Sequence, residues 1–234
     1  MWFGGEGVDE VELRVDEGRL PGLELQAIKS TIPTATAADP AAADADAAAV
    51  AAAAGDGRPA IQPRSSWTSK GWVRNPDCTP APTSNGGGIT FAVVHHTVNA
   101  NSYSAAQVPA LIASIYEYHV GANRWCDIAY NFVIDRFGRI WEGRSGGVAN
   151  PIIGGHAKGF NTGSVGVAFL GQYQPGASPS AAAPTSAALT AAGQLIGWKL
   201  ALHRHSPNTQ TTTMSRGSSK YPAGQYVTVN RVSG

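Results

Sequence analysis

Histidines, cysteines and one strand-borne tyrosine are the residues of this 234-residue chain with chemistry to offer. His95 and His96 close a nearly continuous apolar run, Ile89 to His96. Alternation along a strand sends their side chains to opposite faces, so only one can face a given pocket. A histidine at the C-terminal end of an α/β strand is well placed to ligate a metal, because such ends open onto the cleft where sites are built. Standing alone, such a histidine reads as a packed, hydrogen-bonded core residue. Tyr130 lies in the stretch Trp125 to Phe132, where alternation places Tyr130, Phe132 and Ile134 on one face and Asn131 and Val133 on the other. Its alternative is an amphipathic core tyrosine with its hydroxyl at the rim. His156 and Asn161 share the glycine-flexed loop Gly154 to Asn161, whose plainer reading is a turn with solvent-facing polar groups. His203 and His205 follow a helical stretch, where cationic side chains suit a helix C-terminus.

The elements that must hold these residues come from periodicity. Residues 104–120 carry Val108, Leu111, Ile112, Ile115 and His119 at helical spacing behind a Ser104 to Gln107 capping box, with Pro109 arguing for a start a few residues later. Ala129 to Asp135 and Arg139 to Gly143 form a hairpin about Phe137-Gly138, and a loop over 144–163 leads into the buried strand Ser164 to Leu170. Thr185 to His203 is a second helix, followed by a loop over 206–224 and a strand from Gln225 to Val232. Strands alternating with helices predict an α/β fold, a mixed central β-sheet flanked by helices.

Upstream the texture differs. Residues 8–28 alternate twice about a turn, which predicts an isolated β-hairpin, the remnant of a β-rich domain over 1–29. Residues 35–57 are almost nothing but Ala, Gly, Pro and Thr with a few aspartates, so 30–60 is expected to be a linker without fixed conformation. The foldable domain is then 61–234. A net charge of +1 and the absence of any Lys/Arg stripe argue against nucleic acid as partner. No apolar stretch reaches the ~20 residues of a membrane span, and Met1 to Glu6 lacks the basic start and apolar run of a signal peptide.

Four motifs in one order resemble the peptidoglycan-recognition and type-2 N-acetylmuramoyl-L-alanine amidase family over about residues 61–234. Val93-Val94-His95-His96-Thr97 resembles the family's strand bearing the first zinc ligand. Asp127 to Phe132 resembles its Asp-Ile-Gly-Tyr-Asn-Phe motif, with Ala129 for the usual glycine. Asp135 to Arg144 resembles the hairpin ending in Glu-Gly-Arg, and Gly155 to Val167 the His-x-x-Gly-Phe-Asn loop with its following strand. The hairpin at the start looks like the end of the β-rich domain that precedes the amidase in some actinobacterial members.

The resemblance implies a secreted or cell-envelope domain, expected to be monomeric, whose partner is the muramyl peptide of peptidoglycan. Its activity would be zinc-dependent hydrolysis of the amide between N-acetylmuramic acid and L-alanine, with Zn2+ polarising the carbonyl and activating water. His95 would be the first zinc ligand and Tyr130 the catalytic hydroxyl that stabilises the oxyanion. His156, Asn161, His96 and Thr97 would contact substrate. The family's second ligand, the His of a Ser-Gly-His-Arg-Asp stretch, and its third, a Cys or Asp before a Pro-Gly, are expected beyond Gly234. The chain as it stands is therefore expected to be catalytically incomplete. A rival reading is a module on the same fold that binds muropeptide without cutting it. Outside the cytoplasm a disulfide between Cys78 and Cys126 would persist, the alternative being two free buried thiols.

Overall fold

A computed structural model describes residues 57–74, 78, 80–176 and 182–234. The hairpin expected over 8–28 and, but for Gly57, the linker expected over 35–57 lie outside these described residues.

Two alternations decide the layering. In the strand Phe91–His96 (β2), Ala92 and Val94 face one core while Phe91 and Val93 face another. In Ser164–Phe169 (β5), the large residues Val165, Val167 and Phe169 join Ala92 in the first core. The small residues Ser164, Gly166 and Ala168 are left for the opposite face. β2 and β5 pair in parallel, with Val93 opposite Gly166 and His95 opposite Ala168. Phe132–Ile134 (β3) runs parallel to β5 on its other side and forms an antiparallel hairpin with Ile140–Glu142 (β4). Ile61–Gln62 (β1) and Val232–Ser233 (β8) complete the sheet, whose order is β1-β4-β3-β5-β2-β8. The mixed sheet flanked by helices is the architecture that the sequence predicts.

One face is covered by the helix Ser186–Ala201 (α2), whose Ala188, Ala192, Leu195 and Ile196 are buried against β2, β3 and β5. Its N-terminus is capped by Thr185, whose hydroxyl accepts from the Ala188 amide at 3.1 Å. The opposite face has two separate covers. Val108–Glu117 (α1) packs Val108, Ile112 and Ile115 against Val133, Trp141 and Leu170. It begins after a 3₁₀ turn, Ala105–Gln107, where Gln107 Oε1 accepts from the Ser104 amide at 2.8 Å, the expected capping box. Pro109 occupies the first helical turn, where its missing N–H costs nothing. The second cover is an antiparallel pair, Gln210–Met214 (β6) and Tyr226–Asn230 (β7), whose Val227 and Val229 pack on Phe91, Val93 and Phe160.

Two expectations need correction. The stretch 206–224 is not all loop, because β6 lies within it. Its Gln-Thr-Thr-Thr-Met composition has no apolar alternation to announce a strand, and Val227 and Val229 across the hairpin supply the burial. Tyr130 also departs from the face of Phe132 and Ile134 and packs with the α1 cluster that contains Val133. Consecutive amides of Gly143 and Arg144 bond the carbonyls of Asn131 and Tyr130, which interrupts the two-residue period just before β3 begins.

Candidate functional site

The face opposite α2 is left open between its two covers. On β2, the period that buries Phe91 and Val93 under the hairpin brings His95 to this opening. On β5, the small residues Ser164, Gly166 and Ala168 leave a hollow that the imidazole of His156 enters. A Cβ on Gly166 would lie 2.3 Å from His156 Cδ2, and one on Gly154 would meet the same atom at 2.3 Å. Both glycines are thus required by the ring packed on them. The loop around His156 is set by Asn161, whose side-chain oxygen accepts from the amides of His156 and Ala157, each at 2.8 Å. Asn161, expected to contact substrate, is thereby engaged in holding the loop.

His95 Nε2 lies 3.0 Å from His156 Nδ1, and the ring centroids are 5.0 Å apart. Burial pushes His95 down to about 4, with the neighbouring His96 adding to the effect. Burial also holds His156 well below its ordinary value, aided by His95 and then Arg144. Both rings are therefore neutral at pH 7, and one must donate to the other. Ser164 Oγ donates to the Phe160 carbonyl at 2.7 Å, which leaves its lone pairs toward His156 Nε2 at 3.4 Å. That arrangement favours the tautomer in which His95 Nε2–H donates to His156 Nδ1.

Tyr130 stands beside them with its ring 5.5 Å from that of His95. Burial pushes its hydroxyl up to about 12, so it stays protonated and able to donate. Among the described residues that hydroxyl meets no hydrogen-bond partner. The segment carrying it is pinned at nearly every residue. A disulfide joins Cys126 to Cys78. Asp127, fully buried, accepts from Arg64 Nη2 at 2.9 Å and from the amides of Ile128 and Ser145, each at 2.8 Å. Arg144, itself only 3% exposed, donates to the Ile128 carbonyl at 2.8 Å and to that of Pro80. His119 Nδ1 accepts from the Ala129 amide at 3.1 Å, and its ring packs 5.7 Å from Tyr130 and 4.8 Å from Trp125.

His96 and Thr97 turn elsewhere. His96 goes to the α2 side, where its Nδ1 accepts from the Tyr173 amide at 3.2 Å. Thr97 is buried with its hydroxyl accepting from the Gly171 amide at 3.0 Å. The structure thus gathers His95, Tyr130 and His156, with Asn161 behind them, and turns His96 toward Tyr173 and the Thr97 hydroxyl toward the Gly171 amide. His203 and His205 lie at the end of α2, where the His205 amide bonds the Leu200 carbonyl as the helix closes.

His119, Asp127 and the inward role of Arg144 are not singled out by the sequence. Each signal was present as a charged or polar residue inside an apolar or glycine context. His119 looked like one more residue of a helical stripe, but the helix widens into a π turn, Tyr118–Ala122, that aims it at the tyrosine segment.

The expected zinc finds only part of its set here. A catalytic zinc takes three protein ligands and an open position, whereas among the described residues no three His, Cys, Asp or Glu side chains form such a group. His95 meets one further imidazole, that of His156, and the described residues do not by themselves make a catalytic zinc site.

Comparison with known proteins agrees with this geometry. The sequence profile described as Amidase_2, N-acetylmuramoyl-L-alanine amidase, matches residues 85–226, more than half of the chain. Peptidoglycan-recognition protein SC1a of Drosophila melanogaster is 39% identical over 85 residues, covering 36% of this chain and 44% of that protein. Peptidoglycan-recognition protein SC2 of Drosophila simulans is 35% identical over 108 residues, covering 46% of this chain and 53% of that protein. The chain spans about half the length of the curated relatives it matches. Among solved structures, Drosophila PGRP-LB superposes with a TM-score of 0.51 at 24% identity, over 63% of this chain and 78% of that one. Drosophila PGRP-SA does so with a TM-score of 0.50 at 25% identity, over 63% of this chain and 75% of that one. The profile match, spanning the strand of His95, the tyrosine segment and the His156 loop, shows that the chain belongs to the peptidoglycan-recognition and type-2 N-acetylmuramoyl-L-alanine amidase family.

Proposed function

We propose that this domain binds the muramyl-peptide part of bacterial peptidoglycan, outside the cytoplasm, in the opening between its two covers. The observation that carries the reading is the convergence of His95, His156 and Tyr130 on one uncovered stretch of sheet, above the small side chains of β5. Neutral imidazoles and a protonated phenol offer donors, acceptors and apolar ring faces without net charge. That suits the amides, hydroxyls and methyl groups of such a ligand. Relatives that carry the name peptidoglycan-recognition protein support the choice of ligand. The Cys78–Cys126 disulfide supports an oxidising compartment.

A second reading, hydrolysis of the amide between N-acetylmuramic acid and L-alanine, is favoured by Tyr130. A protonated phenol beside His95 is placed as a donor for the oxyanion that forms when an amide carbonyl is attacked. That reading needs, in addition to His95, metal ligands that the described residues do not bring together.

Calorimetric titration with a muramyl tripeptide, with and without chelator, separates the two when release of free α-amine is followed in the same samples. Binding predicts a saturable one-site isotherm unchanged by chelator, weakened about tenfold by His156→Ala, with no amine released. Amine release that chelator stops would establish hydrolysis. Neither heat nor amine from the folded protein would overturn both.

A further inference from the structure

The loop that carries His156 is built against residues 215–224 of the turn that joins β6 to β7. The centre of that turn is Ser215, which has no exposed surface. Ser215 Oγ donates to the Tyr221 carbonyl at 2.8 Å and accepts from the Gly217 amide at 3.1 Å. The Ser215 amide and carbonyl bond Gln225 and Gly224, each at 2.8 Å. The turn is therefore a block closed by its own hydrogen bonds, on a hairpin anchored to β2 through Val227 and Val229.

Three contacts join this block to the His156 loop. The Arg216 amide donates to the Gly159 carbonyl at 2.8 Å. Main chain meets main chain at Gly159, where φ is +82° and an added Cβ would lie 2.9 Å from the Gly217 carbonyl oxygen. The Phe160 ring meets that of Tyr221 edge-on, with centroids 5.7 Å apart and planes at 89°. Phe160 is one residue from Asn161, whose side chain holds the His156 amide, and its carbonyl accepts from the Ser164 hydroxyl beside His156. A displacement of the 159–160 tip thus reaches the imidazole through two short hydrogen-bonded links.

We propose that the 215–224 turn, with Tyr221 as its principal contact, is a positioning element that sets the place and tautomer of His156 over His95. Its bearing on ligand affinity rests on the muramyl-peptide reading, while its bearing on His156 does not. Tyr221 acts through its ring on Phe160, so the ring and not the hydroxyl is required.

The test is the imidazole nitrogen spectrum of the intact chain, with the His156 signals assigned by their loss in His156→Gln, read beside muramyl tripeptide affinity. Tyr221→Ala should shift the His156 nitrogens and weaken binding ~10-fold, the scale for losing one contact residue of a binding site. Tyr221→Phe should restore both. Gly159→Ala should give the same His156 shift by pushing the loop off the Gly217 carbonyl. Should Gly159→Ala fail to fold, the Tyr221 pair decides by itself. An unchanged His156 spectrum in folded Tyr221→Ala would overturn the proposal, as would an equal effect from Tyr221→Phe. A shifted spectrum in a protein that never binds the tripeptide would uphold the positioning role and sink the ligand assignment alone.

Discussion

His119 shows how one side chain can serve position and charge together. Its Nδ1 accepts from the Ala129 amide, one residue before Tyr130, and so must stay unprotonated while the native loop persists. Burial, reinforced by the cation of Arg144, pushes His119 down from 6.5 to about 4. Between those values the unfolded chain binds a proton at this residue and the folded chain does not, so stability rises with pH across the window. The contribution is complete above pH ~6.5 and is lost as pH falls to about 4, at up to ~1.4 kcal/mol per pH unit for a single group. Asn, whose side-chain oxygen can replace Nδ1 as acceptor, does not titrate. Urea midpoints of His119→Asn measured from pH 7 to pH 4 should therefore fall less steeply than those of the parent. Parallel slopes would show that other groups carry the acid dependence.

At the scale of elements, the segment 126–131 is held by more restraints than its length needs. The Cys78–Cys126 disulfide, between residues 48 apart in sequence, ties its first residue. In the chain-entropy model a loop of this size stabilises the folded state by roughly 4 kcal/mol. Arg64, stacked 4.7 Å over Trp67 and 5.2 Å over Tyr116, fixes the same segment through Asp127 independently of the bridge. Cys78→Ala combined with Cys126→Ala should consequently lower the free energy of unfolding, read from urea denaturation, by an amount of that order while leaving the Tyr130 loop native at room temperature. Tyr130 ring resonances that keep their positions in the double variant would bear this out. Loss of those resonances before global unfolding would assign the loop's order to the disulfide alone.

Across the whole molecule, coverage of the sheet is uneven, and the site follows from that. α2 seals one face from β3 to β2. On the other face, α1 covers the β3–β4 half while the β6–β7 pair covers β2. Central β5 has neighbours on both sides and buried side chains throughout. The β6–β7 pair is two-stranded, with Tyr226 71% exposed on its outer face. Amide exchange should be slowest in β5 and the middle of β2, opening only with global unfolding, and faster in β6 and β7 through sub-global opening. Equal protection in the hairpin and in β5 would mean that the second cover unfolds only with the core.

Residue type and spacing were enough to announce β2, the β3–β4 hairpin, β5 and both helices, because each carries an apolar period of its own. They also singled out His95, Tyr130 and His156, since each lies in a motif of the family to which the chain belongs. Other features depend on atoms far apart in sequence. β6 carries no apolar alternation and is a strand because Val227 and Val229 opposite it have a core to enter. Tyr130 left the face that alternation assigns it because two consecutive hydrogen bonds from Gly143 and Arg144 break the period. Asn161 and Thr97 have the chemistry to contact a ligand, but their oxygens were already engaged by the amides of His156 and Ala157 and of Gly171. The 3.0 Å meeting of His95 and His156 joins residues 61 apart, through a hollow that exists because β5 alternates large with small side chains. Local periodicity thus determined which elements form and which side chains are chemically able. Whether those side chains meet, and which remain free to act, was decided by strand register and by hydrogen bonds that only the folded chain can close.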